Sequence, residues 1–244
     1  MEVFMTKKRF FTSRNIAFLA VLLALVIVLQ LWGSAIKIGT TSLSLVLIPI
    51  VLGAVMIGPL AGAFLGFAFG LVVLIVGITG VDNFTFILFT DHPVLTSALC
   101  LVKGTAAGLV AGLLFRLIQG KNRYAAVITA ALSAPIVNTG LFILGALLMS
   151  GTLSANFVSE GSSVIYFLVI GCAGVNFLIE FAVNLVASPA IYTVAEVVKR
   201  SFRSKKGAPR KKDESDKNDV SAGSGDENIK RSADRNNADN GIIS

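Results

Sequence analysis

"GPLAGAFLGFAFGLVVLIVGI", residues 58–78, contains no charged side chain. A helix of about this length crosses the ~30 Å hydrocarbon core of a bilayer. The Gly-Pro step at Gly58-Pro59 turns the chain into the segment, so a span is expected over residues 60–78. Gly58, Gly62, Gly66 and Gly70 recur every fourth residue and share one helix face. Small residues at this spacing let helix backbones approach closely in lipid, where the hydrophobic effect cannot drive association. A matching ladder, Gly104, Gly108 and Gly112, lies further along. The expected role of both ladders is packing within the chain.

Working outward, apolar runs of similar length recur from Asn15 to Arg200. The chain has 244 residues, 55% of them hydrophobic and 14% charged. Its mean hydropathy is +0.80, far from that of a soluble domain. The fold expected is an all-α integral membrane protein, a six-transmembrane-helix bundle with both termini cytoplasmic. The spans fall near residues 15–33, 43–57 (short), 60–78, 94–118, 124–150 and 164–198. The last is long enough to tilt or to project from the bilayer. Residues 79–93 read as a polar loop, and residues 151–163 lead from the fifth span to the sixth. The domain reading is a basic cytoplasmic N-terminus (1–14), a transmembrane substrate-binding domain (15–200) and a disordered charged cytoplasmic tail (201–244). The tail mixes both charge signs with Ser, Gly and Asn. Its basic start fixes topology or touches anionic headgroups.

Charge sets the orientation. Lys7, Lys8, Arg9 and Arg14 precede the first run, Arg116, Lys121 and Arg123 lie between the fourth and fifth, and Lys199, Arg200 and Arg203 follow the sixth. Six spans put all three clusters on one side, which the positive-inside rule makes cytoplasmic. The first run is long and no small-residue cleavage site follows it closely, so a retained helix is expected rather than a cleaved signal. Cys100 and Cys172 both fall in apolar runs and read as packing residues, not a disulfide framework.

The polar residues inside the runs stand out, because ionisable and amide groups at membrane depth are costly. Glu180 lies near the middle of the sixth span and Lys103 in the fourth. Asn138 and Thr139 follow Pro135 in the fifth. Asn176, Glu180 and Asn184 recur every four residues and share a face. Such a stripe either ties helices together through inter-helical hydrogen bonds or lines a polar cavity. Three helices contribute polar groups, which favours a cavity. The expected substrate-binding residues are Asn138, Asn176, Lys103, Thr139 and Glu180. Glu180 also suits a structural or gating role, paired with Lys103 or an amide, and Asn184 an inter-helix bond. Residues 32–44 and 89–93 are candidate gates, Trp32 serving equally as an interfacial anchor, and His92 reads as a solvated loop histidine.

Several classes are disfavoured. There is no G-x-x-x-x-G-K-[ST] phosphate loop, so the chain should not itself hydrolyse ATP. There is no H-E-x-x-H zinc motif and no G-x-S-x-G elbow. No catalytic residue, metal, cofactor or nucleic-acid partner is expected.

The chain resembles the substrate-binding membrane subunits, or S components, of energy-coupling factor (ECF) vitamin transporters. The resemblance rests on the basic N-terminus, the Ala20-xxx-Ala24 pair and "IPIVLGAVMIGPLAGAFLGFAFGLV" (48–72). It extends to "VKGTAAGLVAGLLFRLI" (102–118), "PIVNTGLFILGALL" (135–148) and "NFLIE" (176–180). It implies a six-helix bundle that binds a vitamin or metal ion near the outer face of a bacterial cell membrane. The implied partners are an ECF transmembrane coupling subunit and two ATP-binding subunits, with Ala20 and Ala24 docking on the coupling subunit. The 137–145 and 176–180 blocks look most like the pantothenate-type branch. Folate, riboflavin and other vitamins stay open. The rival readings are an autonomous proton- or ion-coupled transporter, with Glu180 as a titrating relay, and a lipid-modifying membrane enzyme. The latter lacks a nucleophile–base pair.

Overall fold

The computed structural model describes residues 13–35, 37–38, 41–42, 45–159 and 161–204. The chain divides into two units, Met1–Lys199 and Arg200–Ser244. Among the described residues the regular structure is helical apart from one small ladder. In order, it contains α1 (Ser13–Ala35), β1 (Lys37–Ile38), β2 (Thr41–Ser42), α2 (Leu47–Met56), α3 (Pro59–Ile78) and α4 (Asn83–Asp91). There follow α5 (Pro93–Ile118), α6 (Arg123–Leu147), α7 (Ser150–Asn156), α8 (Val164–Tyr166), a π-helical segment (Phe167–Gly174) and α9 (Val175–Ser204). Strands β1 and β2 pair antiparallel, Lys37 opposite Ser42 and Ile38 opposite Thr41.

Five helical stretches among the described residues are long and apolar enough to cross a membrane: Ser13–Gly33, Pro59–Ile78, Pro93–Ile118, Arg123–Leu147 and Val164–Val198. The expected second span is much shorter. It is α2, with 10 residues, about 15 Å long. Leu47, Ile50, Val51 and Ala54 are fully buried. A helix apolar on all sides belongs inside protein, and α2 packs against α1, α3, α5 and α6.

Local chemistry sets the helix starts. Pro59 and Pro93 open α3 and α5, where the missing N–H costs nothing. Gly58 precedes Pro59 at φ 140°, a conformation that side chains disfavour. Asn122 caps α6, its side chain accepting from the Ala125 N–H at 3.1 Å.

The two glycine ladders meet each other. Helices α3 and α5 run antiparallel, and a Cβ added at Gly62 would strike the Gly108 carbonyl. One at Gly66 would strike the Gly104 carbonyl, and one at Gly70 the Cys100 carbonyl. Gly112 lies against Pro59. The ladders therefore serve packing within the chain, as their spacing suggested.

Two expectations are corrected. Residues 79–93, read as a polar loop, contain α4, which buries Phe84 and Leu88. Residues 151–163 contain most of α7, and the fifth span ends at Leu147, before α7 begins at Ser150. Both short helices turn apolar residues inward against a second core cluster, a tertiary gain that local composition does not display. That cluster joins Phe84, Leu88, Ala146, Met149, Leu153, Leu168 and Cys172. The main core draws instead on Leu22 and Val26 of α1, most of α2, Leu65 and Phe69 of α3, Phe115 of α5, the first half of α6, and Ile191 and Ala195 of α9.

Candidate functional site

Between the two apolar clusters lies a cavity of about 90 Å³, lined by members of both. Its polar wall draws together residues far apart in sequence. Helix α5 supplies Lys103, α6 supplies Asn138 and Thr139, and α9 supplies Asn176 and Glu180. All five residues singled out from the sequence thus line one cavity. Gln30 of α1, Thr85 of α4 and Asp82 just before α4 line it as well. Phe69, Phe84 and Phe142 are among its apolar walls.

Helix α9 positions its stripe by simple periodicity. The Asn176 amide nitrogen donates to Glu180 Oε1 at 3.1 Å, and Asn184 Nδ2 donates to the Glu180 backbone carbonyl at 2.8 Å. Glu180 and Asn184 are each only 1% exposed. Both bonds lie within α9, which corrects the expectation that Asn184 makes an inter-helix bond: one turn below Glu180, its amide reaches the carbonyl of its own helix first. Of the two partners weighed for Glu180, the amide holds the hydrogen bond. The ion pair among the described residues joins Arg123 Nε to Glu196 Oε1 at 2.7 Å. Lys103 instead places its ammonium 5.1 Å from the centre of the Phe142 ring, a cation–π contact.

Several buried acceptors have no hydrogen-bond partner: Asn138 Oδ1, Asn176 Oδ1, Glu180 Oε2 and Asn184 Oδ1. Buried polar atoms are nearly always satisfied in folded proteins. Three of these four belong to residues lining the cavity.

Just before α9, residues Phe167–Gly174 adopt a π-helical turn, a feature frequent at functional sites. A Cβ at Gly174 would crowd the Val169 carbonyl five residues back, so the widened turn suits glycine there. Cys172 and Ala173 of this segment line the cavity immediately before Asn176. Cys100 and Cys172 are buried and form no disulfide. A row of aromatic rings leads away from the cavity wall: Phe84, which lines the cavity, lies 5.9 Å from Phe142 and 5.0 Å from Phe157, which stacks on Phe167 at 6.0 Å.

Gln30 is not among the expected residues, although it sits in the apolar run of α1, where the cost of a polar group at membrane depth is the signal that marks it; it is 6% exposed. Asp82 and Thr85 were hidden by the loop reading of their segment. There the Thr85 hydroxyl donates to Asp82 Oδ2 at 2.5 Å. His92 is half-buried at the junction of α4 and α5. Trp32 is exposed, while residues 36, 39, 40, 43 and 44 of the expected 32–44 gate and the tail beyond residue 204 lie outside the described residues. So do Glu160, residues 1–12 and the side chains of Lys199, Arg200 and Arg203. Among the described residues no cluster of His, Cys, Asp and Glu could hold a metal ion.

Ala20 and Ala24 lie on the opposite kind of surface. Both are exposed on α1, beside Val21 at 66% and Val28 at 61% exposure. The first helix thus keeps its small pair facing outward, away from the buried Leu22 and Val26.

A comparison with curated proteins gives no match. The family described as "ECF transporter, substrate-specific component" matches residues 14–192, a stretch that includes every polar residue of the cavity. Members of this family are substrate-binding subunits of transporters, not enzymes. A cavity with polar side chains from several helices, inside a set of membrane-length helices, accords with that role, and the chain belongs to the family of ECF transporter substrate-specific components.

Proposed function

We propose that the chain captures a vitamin in this cavity and delivers it inward with an ECF coupling subunit and two ATP-binding subunits. The observation that carries the reading is the convergence of Lys103, Asn138, Thr139, Asn176 and Glu180 from three helices on one cavity. In this reading the chain sits in a bacterial cell membrane with both termini cytoplasmic. The α2 helix counts as the short second member of a six-helix bundle. The cavity then opens toward the outer side, where Phe84 and Thr85 of α4 line it, and the Arg123–Glu196 pair marks the cytoplasmic end. Ala20 and Ala24 dock the coupling subunit.

Pantothenate is the first candidate substrate. Its carboxylate suits the Lys103 ammonium, and its hydroxyl and amide groups suit Asn138 and Asn176. Calorimetric or thermal-shift titration of the purified chain with pantothenate, folate, riboflavin, thiamine, biotin and pyridoxine tests this reading. Tight, saturable binding of one vitamin without any partner is expected. Silence from all six with a folded protein would overturn it.

A further inference from the structure

The cavity is chemically polarised. As a carboxylate, Glu180 only accepts hydrogen bonds. Its Oε1 takes the Asn176 amide nitrogen at 3.1 Å, and this fixes which way the Asn176 amide points. One of the two Asn176 N–H donors is therefore engaged, and the Asn176 Oδ1 is left buried without a partner. Glu180 Oε2 and Asn138 Oδ1 are in the same condition, on side chains only 1% and 7% exposed. Helix α9 thus presents acceptors to the cavity. The cationic donor, Lys103, comes from α5.

We propose that Glu180 is a specificity-determining residue that faces the ligand rather than a structural tie within α9. In this arrangement the substrate brings N–H or O–H donors to Glu180 Oε2 and Asn176 Oδ1, and an anionic or acceptor group to Lys103. The substrate class is a small polar molecule that carries donors apart from an acceptor, such as a hydroxy or amido acid or a zwitterion. An acid with an apolar body would leave the α9 acceptors buried and unpaired, which is costly. This rests on the substrate-binding reading above and adds a requirement that the reading alone does not make.

Replacing Glu180 with Gln tests it directly. The glutamine keeps the size and can still accept from Asn176, but it turns a donor toward the ligand. Titration of the full-length purified Glu180→Gln chain with pantothenate, or with whichever of the six vitamins the unmodified chain binds, should show affinity at least about tenfold weaker, the scale of a lost charge-assisted bond. Unchanged affinity would overturn the proposal, since Glu180 would then be a structural element only.

A second measurement needs neither a known ligand nor a stable Glu180 variant. Asp82 also lines the cavity, so in a chain with Cys100→Ala, Cys172→Ala and Asp82→Asn, which leaves Glu180 as the carboxylate of the lining, Asn138→Cys reports on the cavity through its reaction with methanethiosulfonate reagents. Labelling by the aminoethyl (cationic) and sulfonatoethyl (anionic) reagents is compared after normalisation to a free thiol. The cationic reagent should be favoured by about tenfold or more, one decade corresponding to a modest charge interaction. Preference for the anionic reagent, or no reaction with either, would overturn the proposal. Binding of no vitamin would defeat the transport reading, while the labelling ratio would still decide this one.

Discussion

Gly66 of α3 and Gly104 of α5 face each other so closely that a Cβ on either would enter the other's carbonyl group. The contact repeats one turn away between Gly62 and Gly108. Close backbone approach of this kind replaces the missing hydrophobic drive between helices in lipid. Gly66→Leu or Gly104→Leu should therefore separate two central helices. Overpacking of a tight core costs about 1–3 kcal/mol, and a clash against main chain, which cannot rotate away, falls at the upper end. Melting of the purified protein should move down by several degrees. Gly120→Ala, at a site with open space around it, should leave it unchanged, and equal melting of all three variants would refute this packing account.

Asn138 and Lys103 reach the cavity from different helices, so their loss should be felt in binding more than in folding. Asn138→Leu removes an amide that is 7% exposed and whose oxygen has no protein partner. Lys103→Met keeps most of the chain length and removes the charge, and with it the cation–π contact to Phe142. Each should weaken vitamin binding about tenfold to a hundredfold, the range for a buried polar contact of roughly 1.4–3 kcal/mol. Titration calorimetry reads the effect, and unchanged affinity in both variants would remove the cavity assignment.

Lys103, Asn138, Thr139, Asn176 and Glu180 are legible in the sequence because polar groups in apolar runs are rare and expensive. That rule needs no knowledge of contacts, and it selects all five as one set. The same rule reaches Gln30. It could not reach Asp82 and Thr85, because a polar residue in a loop costs nothing until the loop proves to be a helix laid across the cavity. The long helices were legible from length and composition. The character of α2 was not: a short, wholly apolar stretch reads alike whether it meets lipid or protein, and only its neighbours decide. Asn184 shows a further limit. Periodicity placed it on the Glu180 face but could not say that its amide would turn back to its own helix.

At the other end of α6, Arg123 pairs with Glu196 of α9 at 2.7 Å. The Arg123 guanidinium also lies 5.9 Å from the Phe115 ring centre, and Tyr124 meets Tyr192 edge-on at 5.4 Å. The two charged side chains are 25% and 24% exposed, so solvent screening keeps their coupling small. A double-mutant cycle with Arg123→Gln and Glu196→Gln should return about 0.5–1 kcal/mol. Vitamin affinity should stay unchanged, since neither residue lines the cavity. A change in affinity would mean that this end of α9 communicates with Glu180.

Ala20 and Ala24 separate capture from transport. Both are exposed on α1, and neither lines the cavity. Ala20→Trp with Ala24→Trp should abolish vitamin uptake by cells that express the energising subunits, because bulky side chains prevent close helix approach. Binding to the purified chain should remain within about twofold, a change of under ~0.5 kcal/mol. Loss of binding would count against docking, because it would show that the outward face of α1 supports the cavity itself.

Removal of the tail probes the same separation from the other end of the chain. Every residue lining the cavity lies between Gln30 and Glu180, and the family match ends at residue 192. The segment after residue 204 is rich in Lys, Arg, Asp and Glu and poor in aliphatic side chains, so it offers little material for a core. A chain ending at Ser204 should bind the vitamin with unchanged affinity and melt at the same temperature in detergent. If the tail instead anchors the chain to anionic lipid, its loss should lower association with anionic vesicles and leave binding untouched. A large fall in affinity would show that the charged segment reaches the cavity, contrary to its composition.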